Sequence, residues 1–384
     1  MTDTRDTPAA PAQDQEWSTG TETGYPVPER PIMKFTWHTG AWFDVFELHT
    51  ALIKSDLARV RAEGRAVVYL SCPISSRAGG HFATNVDIAH HTARRLTEQW
   101  GERFFFLNPA DYQLESRQGT GLITRHIQAL QGKYPGLTLE KLLSQATPTG
   151  GDYMRMWSRV LIEDDYLTDP ARRDLKLGGA FDAYYFLGPT DAREFFARRS
   201  GGESLTDRMD GYFARRYGVD RQFYLDFATV LENGRRRPLD PIQPGDAVLY
   251  EARRRAFLVY YGTRAGTGFS LGSHDEWNIR HRLNQVRRAD PVYGVGEEMA
   301  GFFDSRQLSL GDAEAETLPG YEVVDPEADA ALRPRGTVAA IAPELPHGEV
   351  SWPFGIVPEL VAPREPSDPS TERQHGDDTV VMRA

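Results

Sequence analysis

Three short apolar runs, each closed by a turn of small residues or proline, limit most strongly what this chain can fold into. They are residues 67–70 before Ser71-Cys72-Pro73, 104–107 before Asn108-Pro109, and 181–187 before Gly188-Pro189. Runs of this length without polar alternation fit strands buried on both faces. Amphipathic stretches lie between them. Residues 42–63 carry a helical pattern that stops at Gly64, and Val86, Ala89, Ala93, Leu96 and Trp100 share one helical face over 85–100. Residues 152–164 repeat the pattern with Tyr153, Trp157, Val160 and Leu161. A fourth apolar run, 256–261, reads as another strand, followed by a glycine-rich turn and a helix over about 275–286. The alternation predicts an α/β fold, a Rossmann-like and mainly parallel sheet with helices on both faces. Ligands of such sheets bind beyond the carboxyl ends of the strands. The segments to search are therefore 71–81, 108–112, 188–191 and 262–278.

Composition narrows the function classes. The 384 residues hold 44 Lys and Arg against 55 Asp and Glu, a net charge of −11. That balance weighs against a general phosphate-backbone binder. The arginine runs 235–237 and 253–255 lack interleaved aromatic platforms, so no nucleic-acid partner is expected. No apolar stretch approaches the roughly 18 residues of a membrane span, and the amino terminus lacks the pattern of a secretory signal. The single cysteine, Cys72, cannot form an internal disulfide or a thiolate metal cage, which fits a cytoplasmic setting. Residues 1–30 have little to bury, and residues 325–384 hold nine of the 25 prolines. Both are expected to be disordered or extended tails, with 350–361 apolar enough to dock as a strap. The body then spans 31–324, with an inserted helical region at about 191–250 and no internal repeat.

Three segments carry candidate chemistry. Gly79 and Gly80 follow the first strand and lead into a helix near Thr84 or Asn85, a place where backbone N–H groups can meet a ligand. Cys72 in this turn is either a small buried residue or a nucleophile, and the second role needs a nearby group to lower its pKa. Asp152 follows Gly150 and Gly151 and reads as a helix N-cap or as a carboxylate aimed at a ligand. Arg155, Arg159 and Glu163 are spaced as a solvated ladder. The third segment joins Gly266, Gly268 and Gly272 to Ser273, His274, Asp275, Glu276 and Asn278. Ser273 and Glu276 fit a capping box, and the concentration of titratable groups also fits a site. Asp87 and His91 are spaced to share an ion, but no third ligand follows at metal spacing, so no metal is expected.

These residues resemble a known family. VYLSCPIS is similar to the first strand of the nucleoside 2-deoxyribosyltransferase-like proteins, which reads Tyr-Leu-small-small-Pro. The Asp152 helix followed by FDAYYFLGP, with Asp182, resembles that family's aspartate-led helix and next strand. GSHDEWN resembles its glycine-serine turn and catalytic glutamate. The resemblance covers 66–190 and 256–287. It departs in length: 65 residues, 191–255, separate the Asp182 strand from GSHDEWN, which makes Glu194 a rival to Glu276.

The resemblance implies cleavage or transfer at the N-glycosidic bond of a nucleoside or nucleotide. Glu276 would attack or stabilise the anomeric carbon, and Asp275 or Asp152 would protonate the leaving base. Tyr69 and Pro73 would wall the base, and Asn278 would hold a sugar hydroxyl. Cys72, Asn108, Asp182, Gly272 and Ser273 would complete the substrate pocket. No cofactor is called for. Small members of the family complete their sites across subunits, which leaves room for a homo-oligomer. The competing expectations are a nucleotide sensor without turnover on the same fold and a partner-binding protein.

Overall fold

The computed structural model describes residues 17–21, 34–74, 80–162, 178–232, 235–240, 242–264, 270–289, 298–308 and 320–322. Within them the chain is α/β, built on a five-stranded sheet. The first parallel strand, β3 (Ala66–Ser71), lies between β4 (Phe104–Leu107) and β5 (Ala183–Phe186). Next to β5 runs parallel β8 (Ala300–Phe303), and β9 (Arg306–Gln307) returns antiparallel at the edge. Strand order is β4-β3-β5-β8-β9. The chain steps to one side of β3 and then to the other, so the crevice between the tips of β3 and β5 is the switch point at which ligands of such sheets bind.

Each strand alternates between two layers, as the strand period requires. Val67, Tyr69, Leu107, Tyr184 and Phe186 pack under α1 (Ala41–Ala62), α5 (Gly150–Ile162) and α10 (Leu271–Ala289). Val68, Leu70, Phe106 and Tyr185 face α2 (Phe82–Trp100) on the other side. Two shorter helices, α3 (Arg117–Ala129) and α4 (Leu139–Gln145), extend the first layer. Two more strands, β1 (Trp17–Thr21) and β2 (Lys34–His38), form a separate antiparallel pair. Part of the segment 1–30 is therefore a strand, where the sequence suggested only an unstructured tail. The tail 325–384, with its apolar stretch 350–361, lies outside the described residues.

The inserted region starts with α6 (Pro189–Arg199), α7 (Leu205–Val219) and α8 (Arg221–Ala228). A hairpin of β6 (Thr229–Glu232) and β7 (Arg235–Pro238) follows, then α9 (Pro244–Val259). Phe195, Phe196, Tyr212, Phe213, Phe223, Phe227 and Phe257 form its aromatic core. The apolar run 256–261 is not a strand. It is the end of α9 and a π-helical turn, Tyr260–Arg264. Arg253, Phe257, Tyr260 and Tyr261 are buried at spacings of three and four, whereas Val259 is exposed, a helical pattern that a plain apolar count overlooks. The sheet's fourth parallel strand is β8, unrecognised in the sequence.

Candidate active site at the tip of the first parallel strand

α10 begins at Leu271, four residues before Asp275, so Asp275 and Glu276 lie in its second turn rather than at its start. The expected capping box from Ser273 to Glu276 is absent because Ser273 is already helical. Ser270 Oγ instead accepts the Ser273 N–H at 3.2 Å, and the two hydroxyls lie 3.1 Å apart. This register turns Glu276, Ile279 and Leu283 inward, all of them buried.

Glu276 reaches the end of β3. The Tyr69 hydroxyl donates to Oε1 at 2.6 Å, and the Ser71 hydroxyl donates to Oε2. Tyr69 and Ser71 are two apart on one strand and so point to the same layer. Three residues thus meet at the switch point across more than 200 positions of sequence. Burial pushes the Glu276 carboxyl up to about 7, and the two hydroxyl donors offset only part of that rise. Tyr69 is fully buried between Trp157, Phe181 and Tyr184. It orients Glu276 and is a core residue, not the pocket wall that the resemblance implied. Trp277 packs edge-on against Phe186, which seats α10 on the neighbouring strand.

The adjacent Asp275 points elsewhere. It accepts the Tyr321 N–H at 2.7 Å and the Glu322 N–H at 3.2 Å. Arg282 binds Glu322 through two bonds of 2.7 and 2.9 Å, and the Tyr321 ring lies against Gly150. A side chain at Gly320 would collide with the Asp275 carboxyl, so only glycine allows this approach. Burial drives Asp275 up to about 8 against the pull of the two N–H donors, with the charges of Glu322 and Glu276 adding to the rise.

Asp152 is not the N-cap of α5. It is the third helical residue; its Oδ2 accepts the Thr149 N–H (2.8 Å) and hydroxyl (2.7 Å), and its own N–H donates to Thr149 Oγ1 at 3.4 Å, so the cap is Thr149. Asp152 also accepts the His38 N–H at 2.7 Å and pairs with His38 Nδ1 at 2.8 Å. Burial raises this carboxyl, yet the His38 and Thr149 donors outweigh it and hold Asp152 below the ordinary range. His38 had no signal in the sequence, because its partner lies 114 positions away.

The remaining candidates divide by place. Cys72 is buried, with Sγ 3.7 Å from Asn108 Oδ1, and burial followed by the Glu276 charge pushes its thiol well up, against a thiolate nucleophile. Asn108 ends β4, accepts the Ala110 N–H at 3.1 Å, and keeps its buried Nδ2 unpaired among the described residues. Gly272 and Ser273 lie in the first turn of α10, with Gly272 against Met154. Asn278 is buried two positions beyond Glu276. Pro73 lines a cavity with Asn85, Ile88, Leu187, Ala192, Tyr260 and Tyr261, of about 10 Å3, room for a single water.

Two candidates fall away from this cluster. Asp182 precedes β5 at the amino edge, where it accepts the Val67 N–H at 2.7 Å and pairs with Arg61 at 3.0 Å. Four strand residues, roughly 13 Å, separate that edge from Ser71. Glu194 pairs with Arg95 of α2 at 3.1 Å, on the opposite layer from Glu276. The possible ion pair of ligands, Asp87 and His91, is also divided. Asp87 takes the Tyr212 hydroxyl (3.2 Å) and Arg216 (3.4 Å), and burial with four nearby arginines lowers His91 to about 4. Among the described residues no three His, Cys, Asp or Glu side chains gather as a metal site, and no helix is long and apolar enough to cross a membrane. Gly79, Glu163, Gly266 and Gly268 lie outside the described residues.

No protein-family model, curated protein or solved structure matches the chain.

Proposed function

We propose that the chain cleaves or transfers the N-glycosidic bond of a nucleoside or nucleotide, with Glu276 as the carboxylate at the anomeric carbon. The observation that carries this reading is the clamp of Tyr69 and Ser71 on Glu276 at the tip of β3. It joins two of the three motifs on which the family resemblance rests. A carboxylate held by both oxygens is fixed in direction, which suits attack on a carbon developing positive charge. In the first step the bond from the anomeric carbon to the base nitrogen breaks, and its electron pair stays on the base, which takes a proton. A bond from Glu276 to the anomeric carbon forms or is approached. Water or a second base then completes hydrolysis or transfer.

Of the two candidate acids, Asp275 has the protonation state that donation requires, while its carboxyl faces the Tyr321 and Glu322 N–H groups and would have to turn toward a leaving base. At neutral pH it retains a proton, being pushed up to about 8, whereas His38 and Thr149 hold Asp152 ionised. Asn108, with an open buried amide beside Cys72, is a candidate donor to the substrate.

A second reading, nucleotide binding without turnover, draws on a different observation: the Asp275 carboxyl is taken up by the Tyr321 and Glu322 N–H groups, so it does not pair with Glu276 at the Tyr69 and Ser71 hydroxyls. One experiment separates the two. Wild type, Glu276→Gln and Asp275→Asn are incubated with a panel of nucleosides and nucleotides, and free base is measured by chromatography. Catalysis predicts release by wild type and a loss of about 100-fold or more in Glu276→Gln. Saturable binding with no release supports the sensor, and equal release by all three removes Glu276 from the chemistry.

A further inference from the structure

The inserted helices grip the connection that leaves β3. This connection runs from Cys72 to α2; its helix-side flank is bonded to the insertion directly, and its strand-side flank through Asn85 of α2. On the helix side, His81 caps α2, with Nδ1 accepting the Thr84 N–H at 3.3 Å. That fixes the ring proton on Nε2, which donates to Asp226 of α8 at 3.0 Å. Gln222 donates to the other Asp226 oxygen at 2.6 Å, and Phe223 and Phe227 flank the His81 ring. The His81 N–H donates to the Tyr261 hydroxyl at 3.1 Å. That hydroxyl also donates to Asn85 Oδ1 of α2 at 2.6 Å, and Asn85 Nδ2 reaches the strand side by donating to the Ile74 carbonyl at 3.3 Å. The Tyr260 ring rests on Gly80 so closely that a Cβ there would lie 2.9 Å from a ring carbon.

We infer that the insertion acts as a clamp on the carboxyl edge of β3, with Asp226 and Tyr261 as positioning residues working through His81 and Asn85. Ser71, which holds Glu276, is three residues before Ile74 on the same chain segment. The clamp therefore bears on the seat of the carboxylate without touching it. Its functional consequence rests on the glycosidic reading of that site, whereas the clamp itself does not.

Plain packing of insertion against body would use the aromatic core alone. It does not require a buried histidine with both ring nitrogens engaged, or a tyrosine hydroxyl bonded to the same Asn85 whose amide holds the strand-side flank at Ile74. Buried polar networks of this kind specify one arrangement when every member is satisfied.

Hydrogen exchange on the full chain tests the clamp with no substrate. Tyr261→Phe keeps the ring packing and removes only the hydroxyl, and Asp226→Ala removes the acceptor. Both are expected to speed amide exchange over residues 80–85 by about 10-fold, the size of one lost net hydrogen bond. Exchange in α7 is expected to stay within about twofold. Asp226→Asn retains an acceptor for Nε2–H and should recover most of the protection. Unchanged exchange over 80–85 in both variants would overturn the inference, as would an equal rise across α7, the mark of an insertion merely loosened. A wild type that releases no base would remove the glycosidic reading and leave the exchange test in force.

Discussion

The first two turns of α5 and α10 make an instructive pair. Both contain glycine in the first turn, both carry a buried carboxylate, and both pack on the same layer of the sheet. Their ionisation runs in opposite directions. Asp152 meets two backbone N–H groups, a hydroxyl and a histidine, and is held below the ordinary carboxylate range. Among the described residues Glu276 meets two hydroxyls and no cation, and burial pushes it up to about 7. Burial alone therefore does not decide the state of a carboxylate; the number and kind of donors do. The first turn stabilises the link to β2. The second places a carboxyl of raised pKa at the tip of β3.

Removing the two carboxylates should separate these roles. Asp152→Ala orphans buried donors from His38 and Thr149, which costs about 3 kcal/mol or more. Thermal melting should fall by roughly 6–12 °C. A fall of under about 2 °C would mean that Asp152 anchors nothing. Glu276→Gln should behave differently. Raising a carboxyl from 4.5 to about 7 corresponds to roughly 3 kcal/mol against the ionised form. The variant should therefore be more stable than wild type at pH 8, by about 1–3 kcal/mol, and level with it at pH 5. Denaturant titrations at the two pH values give that difference directly.

Wild type carries the same signature. Glu276 and Glu115 are pushed up to about 7 and Asp275 to about 8, burial being the largest cause for each. The folded state holds these protons above the pH at which the unfolded chain releases them. Stability from these groups is present below the unfolded values and falls as pH rises toward 8. Asp152 and Glu47, both lowered, act oppositely and lose their contribution in acid. Melting temperature should peak near pH 5 and decline to pH 8; a flat profile would contradict the buried, protonated state of the α10 carboxyls. At the small end of the scale, Asp182→Asn at the amino edge should cost less than about 1 kcal/mol and leave the site unchanged.

Much of this arrangement was legible in the residues. The runs leading to Ser71, Asn108 and Gly188 are buried parallel strands, and the helices before and between them follow their apolar stripes. The motif around Glu276 and the strand bearing Tyr69 were both visible, but nothing local foretold that Ser71 supplies the second donor. A strand's period of two, counted back from Ser71 to Tyr69, was the available signal. β8 escaped notice because it has four residues with a glycine among them. Residues 256–261 misled because six apolar positions in a row look alike in a strand and at a helix end. The spacing of Arg253, Phe257, Tyr260 and Tyr261 decides between them. Asp182 sits beside a strand of the sheet but at its opposite edge, a distinction that requires the strand's direction and register.

The most direct test of the account is infrared titration of Glu276, with Glu276→Gln as the reference that assigns its carboxyl band. The account predicts a protonated carboxyl band that disappears with a midpoint near pH 7. In Ser71→Ala and in Tyr69→Phe the midpoint should move upward by about one to two pH units, since each removes one donor to the charged form. A Glu276 midpoint near 4.5, indifferent to both hydroxyls, would contradict it.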